Sequence, residues 1–125
     1  MAVERRLLSV DDDRAVLRLI SRIATDLDFS VESLAQSELF RDAYQRFNPT
    51  VVTLDIFMPG VDGIELLLWL AEIKSSAHVI VTSGAEMRYL PMANEIGRQH
   101  GSLKLSQLAK PFDIVMLRST LLAEL

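Results

Sequence analysis

The side chains able to do chemistry in this sequence are the run Asp11, Asp12 and Asp13, the isolated Asp55, the hydroxyls of Thr82 and Ser83, and Lys110. Clustered carboxylates repel, so one of them must take up a proton unless a cation shares the site. Magnesium answers that need: it prefers octahedral oxygen coordination and is held by one or two carboxylates together with water and phosphate oxygens. Asp12 and Asp55 are the expected direct ligands, with Asp11 acting through water. An ionised carboxylate can also serve as a nucleophile toward phosphorus, where catalysis is mostly positioning and neutralisation of the equatorial oxygens. Asp55 suits that role. Lys110 would neutralise one phosphoryl oxygen as a point charge, and the Thr82 hydroxyl and a backbone N–H near Ser83 would bind the others.

These residues converge only if the chain folds in a particular way. Short apolar runs rich in β-branched residues, Leu7 to Val10, Val51 to Leu54 and His78 to Thr82, suit strands buried on both faces. Weaker strands are predicted over Phe29 to Ser33 and Leu103 to Leu108. Helical stripes lie between them: Val16, Leu19, Ile20, Ile23 and Leu27, then Leu39, Phe40, Ala43, Tyr44 and Phe47, then Ile64, Leu67, Leu68 and Ala71. Two further helices are predicted over Pro91 to His100 and Phe112 to Glu124. Ser37 is read as a helix cap, Pro91 as a first-turn residue and Gly101 as the residue just past a helix end. Five strand-then-helix units with short connections give a right-handed, doubly wound α/β fold with a parallel sheet. Its ligand sites lie beyond the carboxyl ends of the strands, where Asp11 to Asp13, Asp55, Thr82, Ser83 and Lys110 all fall.

Composition narrows the alternatives. A chain of 125 residues with 50% hydrophobic content is one domain's worth, and no repeat or linker divides it. With no cysteine, thiol redox chemistry and Cys-based metal sites are excluded. The longest apolar stretch, Ile64 to Ala71 interrupted by Glu65, is far short of a membrane span. No secretory segment is visible, so a cytoplasmic location is expected. A net charge of −4 argues against direct nucleic-acid binding.

Four segments together carry a family resemblance: VDDD at Val10 to Asp13, DIFMPGVDGIEL at Asp55 to Leu66, VTSG at Val81 to Gly84, and KPF at Lys110 to Phe112. In order and spacing the chain resembles a two-component response-regulator receiver domain over nearly its whole length. The resemblance implies the flavodoxin-like strand order 2-1-3-4-5. It makes Asp11 and Asp12 the acidic pair, Asp55 the phosphoacceptor, Thr82 the switch hydroxyl and Lys110 the basic residue, followed by a cis bond to Pro111. It also implies Mg²⁺ held by Asp11, Asp12, Asp55 and the backbone carbonyl of Phe57. The phosphoryl donor would be a sensor histidine kinase or a phosphotransfer protein. The output domain or target is not named by these motifs, and a homodimer through the fourth helix, fifth strand and fifth helix is a further implication. Such a domain assists its own phosphorylation and dephosphorylation without being a turnover enzyme.

Several positions have plainer readings or depart from the family pattern. Asp13 is read as a helix N-cap in preference to a metal contact. Asp62 before Gly63 is read as an Asx-type turn residue outside the site. Pro59, Gly60 and Gly63 are assigned to loop shape, and His78 and His100 to ordinary surface or strand-start positions. The methionines and Trp69 are assigned to packing. Most receivers carry Tyr or Phe where this chain has Gln107, so the usual aromatic relay is missing. If Thr82 still moves, the signal must travel through the segments 84–100 and 103–108. Phe57 and Gly84 flank the line along which water would attack phosphorus and cannot orient it by a side-chain hydrogen bond, which predicts slow loss of the phosphoryl group. Two other classes stay open. One is a phosphorylation-independent pseudo-receiver acting as an interaction scaffold. The other is an aspartyl-phosphate phosphohydrolase, disfavoured because Phe57 stands where its acid–base Asp would be.

Overall fold

The computed structural model describes residues 4–58, 60, 62–84, 90–99, 101, 103–111 and 114–123. Pro59, His100 and Phe112, each assigned a place above, lie outside the described residues, as does the side chain of Ser83. The elements run β1 (Arg6–Val10), α1 (Arg14–Asp26), β2 (Ser30–Leu34), α2 (Phe40–Phe47), β3 (Val51–Asp55), α3 (Gly63–Glu72), β4 (His78–Ser83), α4 (Leu90–Gln99), β5 (Lys104–Ala109) and α5 (Ile114–Leu122). All pairings are parallel and the sheet order is β2-β1-β3-β4-β5, as the family resemblance implies.

Alternation of side chains along the central strands builds two cores at once. Leu8 and Val10, Val52 and Leu54, and Val79 and Val81 point to one face, where Phe40, Leu66, Leu67, Leu70 and Ile96 from α2, α3 and α4 cover them. Leu7, Val51, Ile80 and Leu108 point to the other, under Ile20, Ile23, Leu117 and Leu121 of α1 and α5. β3 is buried at every position, whereas β2 and β5 at the sheet edges are partly exposed. That contrast explains why the edge strands read weakly in sequence. Trp69 packs edge-on to Phe40 and Tyr44, as expected of a packing residue.

Two local readings are corrected by this frame. Ser37 does not cap α2: it lies in a 3-10 turn, Ser37–Leu39, and the cap position of α2 is Leu39, with no side-chain cap hydrogen bond. His78 does begin β4 but is buried, and its Nε2 lies 2.6 Å from the Ser106 hydroxyl on β5. A hydroxyl within hydrogen-bond distance helps an imidazole sit at a covered strand start. Pro91 occupies the first turn of α4 and Gly101 lies just beyond that helix.

Candidate phosphoacceptor and metal site

The same two-residue period that sorts the core also assembles the site. Leu7, Ser9 and Asp11 share one phase of β1, Val51, Thr53 and Asp55 share it on β3, and register pairs Ser9 with Thr53 and Asp55 with Thr82. Continuing β5 in that phase takes Leu108 to Lys110. The pleat thus turns Asp55 and Thr82 to the α1/α5 side at the carboxyl edge of the sheet, and Asp11 and Lys110, one residue past β1 and β5, meet Asp55 there through the Lys110 ion pairs. Directly beneath the carboxylates, the Thr53 hydroxyl donates to Ser9 Oγ at 2.7 Å in a fully buried pair.

Asp11 is 1% exposed, Asp55 4% and Thr82 2%. Charges this buried must be paired. Lys110 Nζ lies 2.6 Å from Asp11 Oδ2 and 3.4 Å from Asp55 Oδ2, so one ammonium serves two carboxylates. The other Asp11 oxygen accepts from the Asp13 backbone N–H at 2.9 Å, and Asp55 Oδ1 accepts from the Phe57 N–H at 3.2 Å. The compensation of Asp55 is incomplete. Burial first, and then the Asp11 charge, push its carboxyl up from 3.8 to about 6, against the lowering effects of Lys110 and the Phe57 N–H. For Lys110 burial acts to lower the pKa, but the Asp11 hydrogen bond and the charges of Asp11 and Asp55 outweigh it and hold the ammonium above its ordinary range.

Asp11, Asp12 and Asp55 each offer a carboxylate oxygen, and these atoms lie within 4.8 Å of one another. The donor set is all oxygen, with Asp12 exposed at the mouth, and carries more negative charge than Lys110 can balance. That fits a hard divalent cation of the magnesium type. Asp13 stays out, because its side chain accepts from the Ala15 N–H at 2.9 Å and caps α1. Asp62 also lies outside the site, but as the cap of α3, accepting from the Glu65 N–H, and not as an Asx turn. Gly63 does more than shape a loop: a Cβ there would meet the Asp55 carbonyl oxygen at 2.2 Å, so α3 can begin against the end of β3 only with glycine. Gly60 combines a φ of +86° with equally close approach to Glu38. Phe57 is 54% exposed beside Asp55, and among the described residues nothing would lie within 4 Å of a Cβ at Gly84. Gln107 is exposed on β5 and donates through Nε2 to Asn94 Oδ1 of α4. The Lys110–Pro111 bond is cis.

Residues 7–121 match the family model described as the response regulator receiver domain. The chain belongs to that family. Among curated relatives, this receiver is 28% identical over 117 residues to sporulation initiation phosphotransferase F of Bacillus subtilis, covering 93% of this chain and 90% of that protein. It is 39% identical over 79 residues to chemotaxis protein CheY of Listeria monocytogenes, across 62% of this chain and 66% of that one. Against larger relatives, such as the transcriptional regulatory protein YesN, the receiver spans only 28% of the partner sequence. Among solved structures, the signal receiver domain of a response regulator from Bermanella marisrubri superposes with a TM-score of 0.82 at 27% identity, over 97% of this chain and 98% of that one.

Asp11, Asp12, Asp55, Thr82 and Lys110, all marked by their sequence motifs, come together at one sheet edge. The Ser9–Thr53 pair and the Phe57 N–H belong to the site without such a mark. Period-two phasing with Asp11 and Asp55 was the signal that could have found the hydroxyls; the Phe57 N–H leaves no trace in sequence.

Proposed function

We propose that this receiver is a phosphorylation switch in which Asp55 accepts a phosphoryl group from a phosphohistidine on a sensor kinase or phosphotransfer protein. The observation that carries the reading is the single ammonium of Lys110 shared between Asp11 and Asp55, beside a third carboxylate, in a pocket that leaves Asp55 incompletely neutralised. Asp11, Asp12, Asp55 and the Phe57 carbonyl would hold Mg²⁺, which would neutralise the carboxylates and the incoming phosphoryl oxygens.

In the transfer, an ionised Asp55 oxygen forms a bond to phosphorus as the phosphorus–nitrogen bond breaks, and the imidazole keeps the electron pair. The Phe57 N–H orients Asp55 by holding Oδ1, leaving Oδ2 toward Lys110. Lys110 would then turn its charge to a phosphoryl oxygen, and Thr82, register partner of Asp55, would donate its hydroxyl to another. That movement would be read on the α4, β5 and α5 face. The group returns only by hydrolysis or back-transfer, so the chain acts as a switch and not as a turnover enzyme.

Incubation with acetyl phosphate and Mg²⁺ should add one phosphoryl mass, and Asp55→Asn should abolish it. A folded wild-type protein that takes up none would instead favour the scaffold reading, which Gln107 at the position of the usual aromatic leaves standing.

A further inference from the structure

A groove of about 700 Å³ lies on the opposite edge of the molecule from β5, between α1 and the outer strand β2. Arg14, Arg18, Ser21 and Arg22 line it from α1, Ser33 from β2 and Ala35 from just past its end. The three arginines recur every four residues, which stacks them along one stripe beside the apolar face of Leu17, Ile20 and Ala24. Among the described residues none of the three has an ion-pair or hydrogen-bond partner. Three unmatched cations in one groove are unexpected in a chain of net charge −4. Helix stability does not explain Arg14, which occupies the first turn of α1, where the helix dipole disfavours a cation.

The spacing selects a ligand. Arginines four residues apart on a helix are separated by about 6 Å, and the trio spans about 12 Å. A single phosphate or diphosphate would have to draw the three guanidinium groups together against their mutual repulsion, whereas charges that repeat at the arginine spacing would not. Alternate side chains of an extended strand repeat at about 6.7 Å and point to one face. β2 supplies the matching backbone, because as the edge strand its outward N–H and C=O groups have no neighbouring strand among the described residues. Val31 and Ser33 lie in the phase of Leu7 and Ser9, toward α1. The one acidic residue of β2, Glu32, points to the other face, where Arg46 neutralises it through two hydrogen bonds of 3.0 and 2.7 Å.

We propose that this groove binds an extended acidic peptide segment, which pairs with the free edge of β2 and sets alternate carboxylates against Arg14, Arg18 and Arg22. Main-chain pairing supplies the register, and the arginines select for acidic residues at every second position.

The test uses a capped peptide alternating Glu and Val over seven residues, titrated into the full chain at low salt and followed by amide NMR and hydrogen exchange. Shifts centred on residues 30–35, slower exchange of the β2 edge amides, and at least tenfold weaker binding to Arg18→Glu and Arg22→Glu are expected. Both variants should still take up phosphate from acetyl phosphate at the wild-type rate, which separates lost binding from lost folding. The same peptide with Lys for Glu should not bind. Binding that ignores the arginine substitutions would overturn the proposal. So would shifts confined to α1 with unchanged β2 exchange, or equal competition by tripolyphosphate without strand protection.

Discussion

In magnesium-free buffer, Asp55→Asn should make the protein more stable at neutral pH. Asp55 lies buried beside Asp11, and its carboxyl is pushed from 3.8 to about 6. A carboxyl whose folded pKa exceeds its unfolded value favours the fold while protonated. That stabilisation is full below about pH 4 and is lost as pH rises through about 6. The gap from 3.8 to about 6 bounds the cost of ionising Asp55 at about 3 kcal/mol, and solvent and ions reaching the site mouth reduce it to about 1–2 kcal/mol. Asparagine removes the charge but keeps an oxygen to accept from the Phe57 N–H. For a chain of this size the gain corresponds to a melting temperature about 4–8 °C higher. Calorimetry in EDTA at pH 7.5 and pH 4.5 reads it directly: the difference should be present at the higher pH and shrink toward zero at the lower. Saturating Mg²⁺ should narrow it at pH 7.5 by stabilising only the wild type. Equal melting temperatures at pH 7.5 in EDTA, or a difference as large at pH 4.5, would refute the claim that buried like charge strains this site.

Other expectations follow from the same geometry. In the proposed site protons and Mg²⁺ would compete for Asp55, so calorimetric Mg²⁺ affinity should weaken about tenfold for each pH unit below about 6, with proton release on binding in that range. Lys110→Ala leaves Asp11 and Asp55 without their shared cation and should cost about 2–4 kcal/mol in urea unfolding without magnesium, with less lost when Mg²⁺ is present. Asp13→Ala should cost about 1 kcal/mol through the lost α1 cap while leaving Mg²⁺ affinity unchanged; a large loss of affinity would return Asp13 to the metal site. Phe57→Asn should shorten the lifetime of the phosphorylated protein several-fold by giving water a polar partner, measured as phosphate release after donor removal.

The central strands were legible because burial on both faces forces unbroken apolar runs, and parity then fixed which of their terminal residues meet. β2 and β5 begin and end one residue later than the sequence suggests, since partly solvated edges tolerate mixed side chains and blur their own limits. Ser37 misled because a serine before an apolar stripe looks like a cap, whereas the chain spends one 3-10 turn before α2 begins. Buried His78 meets a hydroxyl 28 residues away, and Lys110 lies nearest an aspartate 99 residues away. Pairings at such range are set by strand order, which local composition does not encode.

The Ser9–Thr53 pair beneath the carboxylates places a layer of two hydroxyls between buried charges and an apolar interior. Either hydroxyl can donate to the other, so the direction of their bond can reverse by rotation of two protons with no heavy atom displaced. The floor of the pocket is thus a reorientable dipole. It can follow changes in the charge above it while the strands that carry Asp11 and Asp55 stay still.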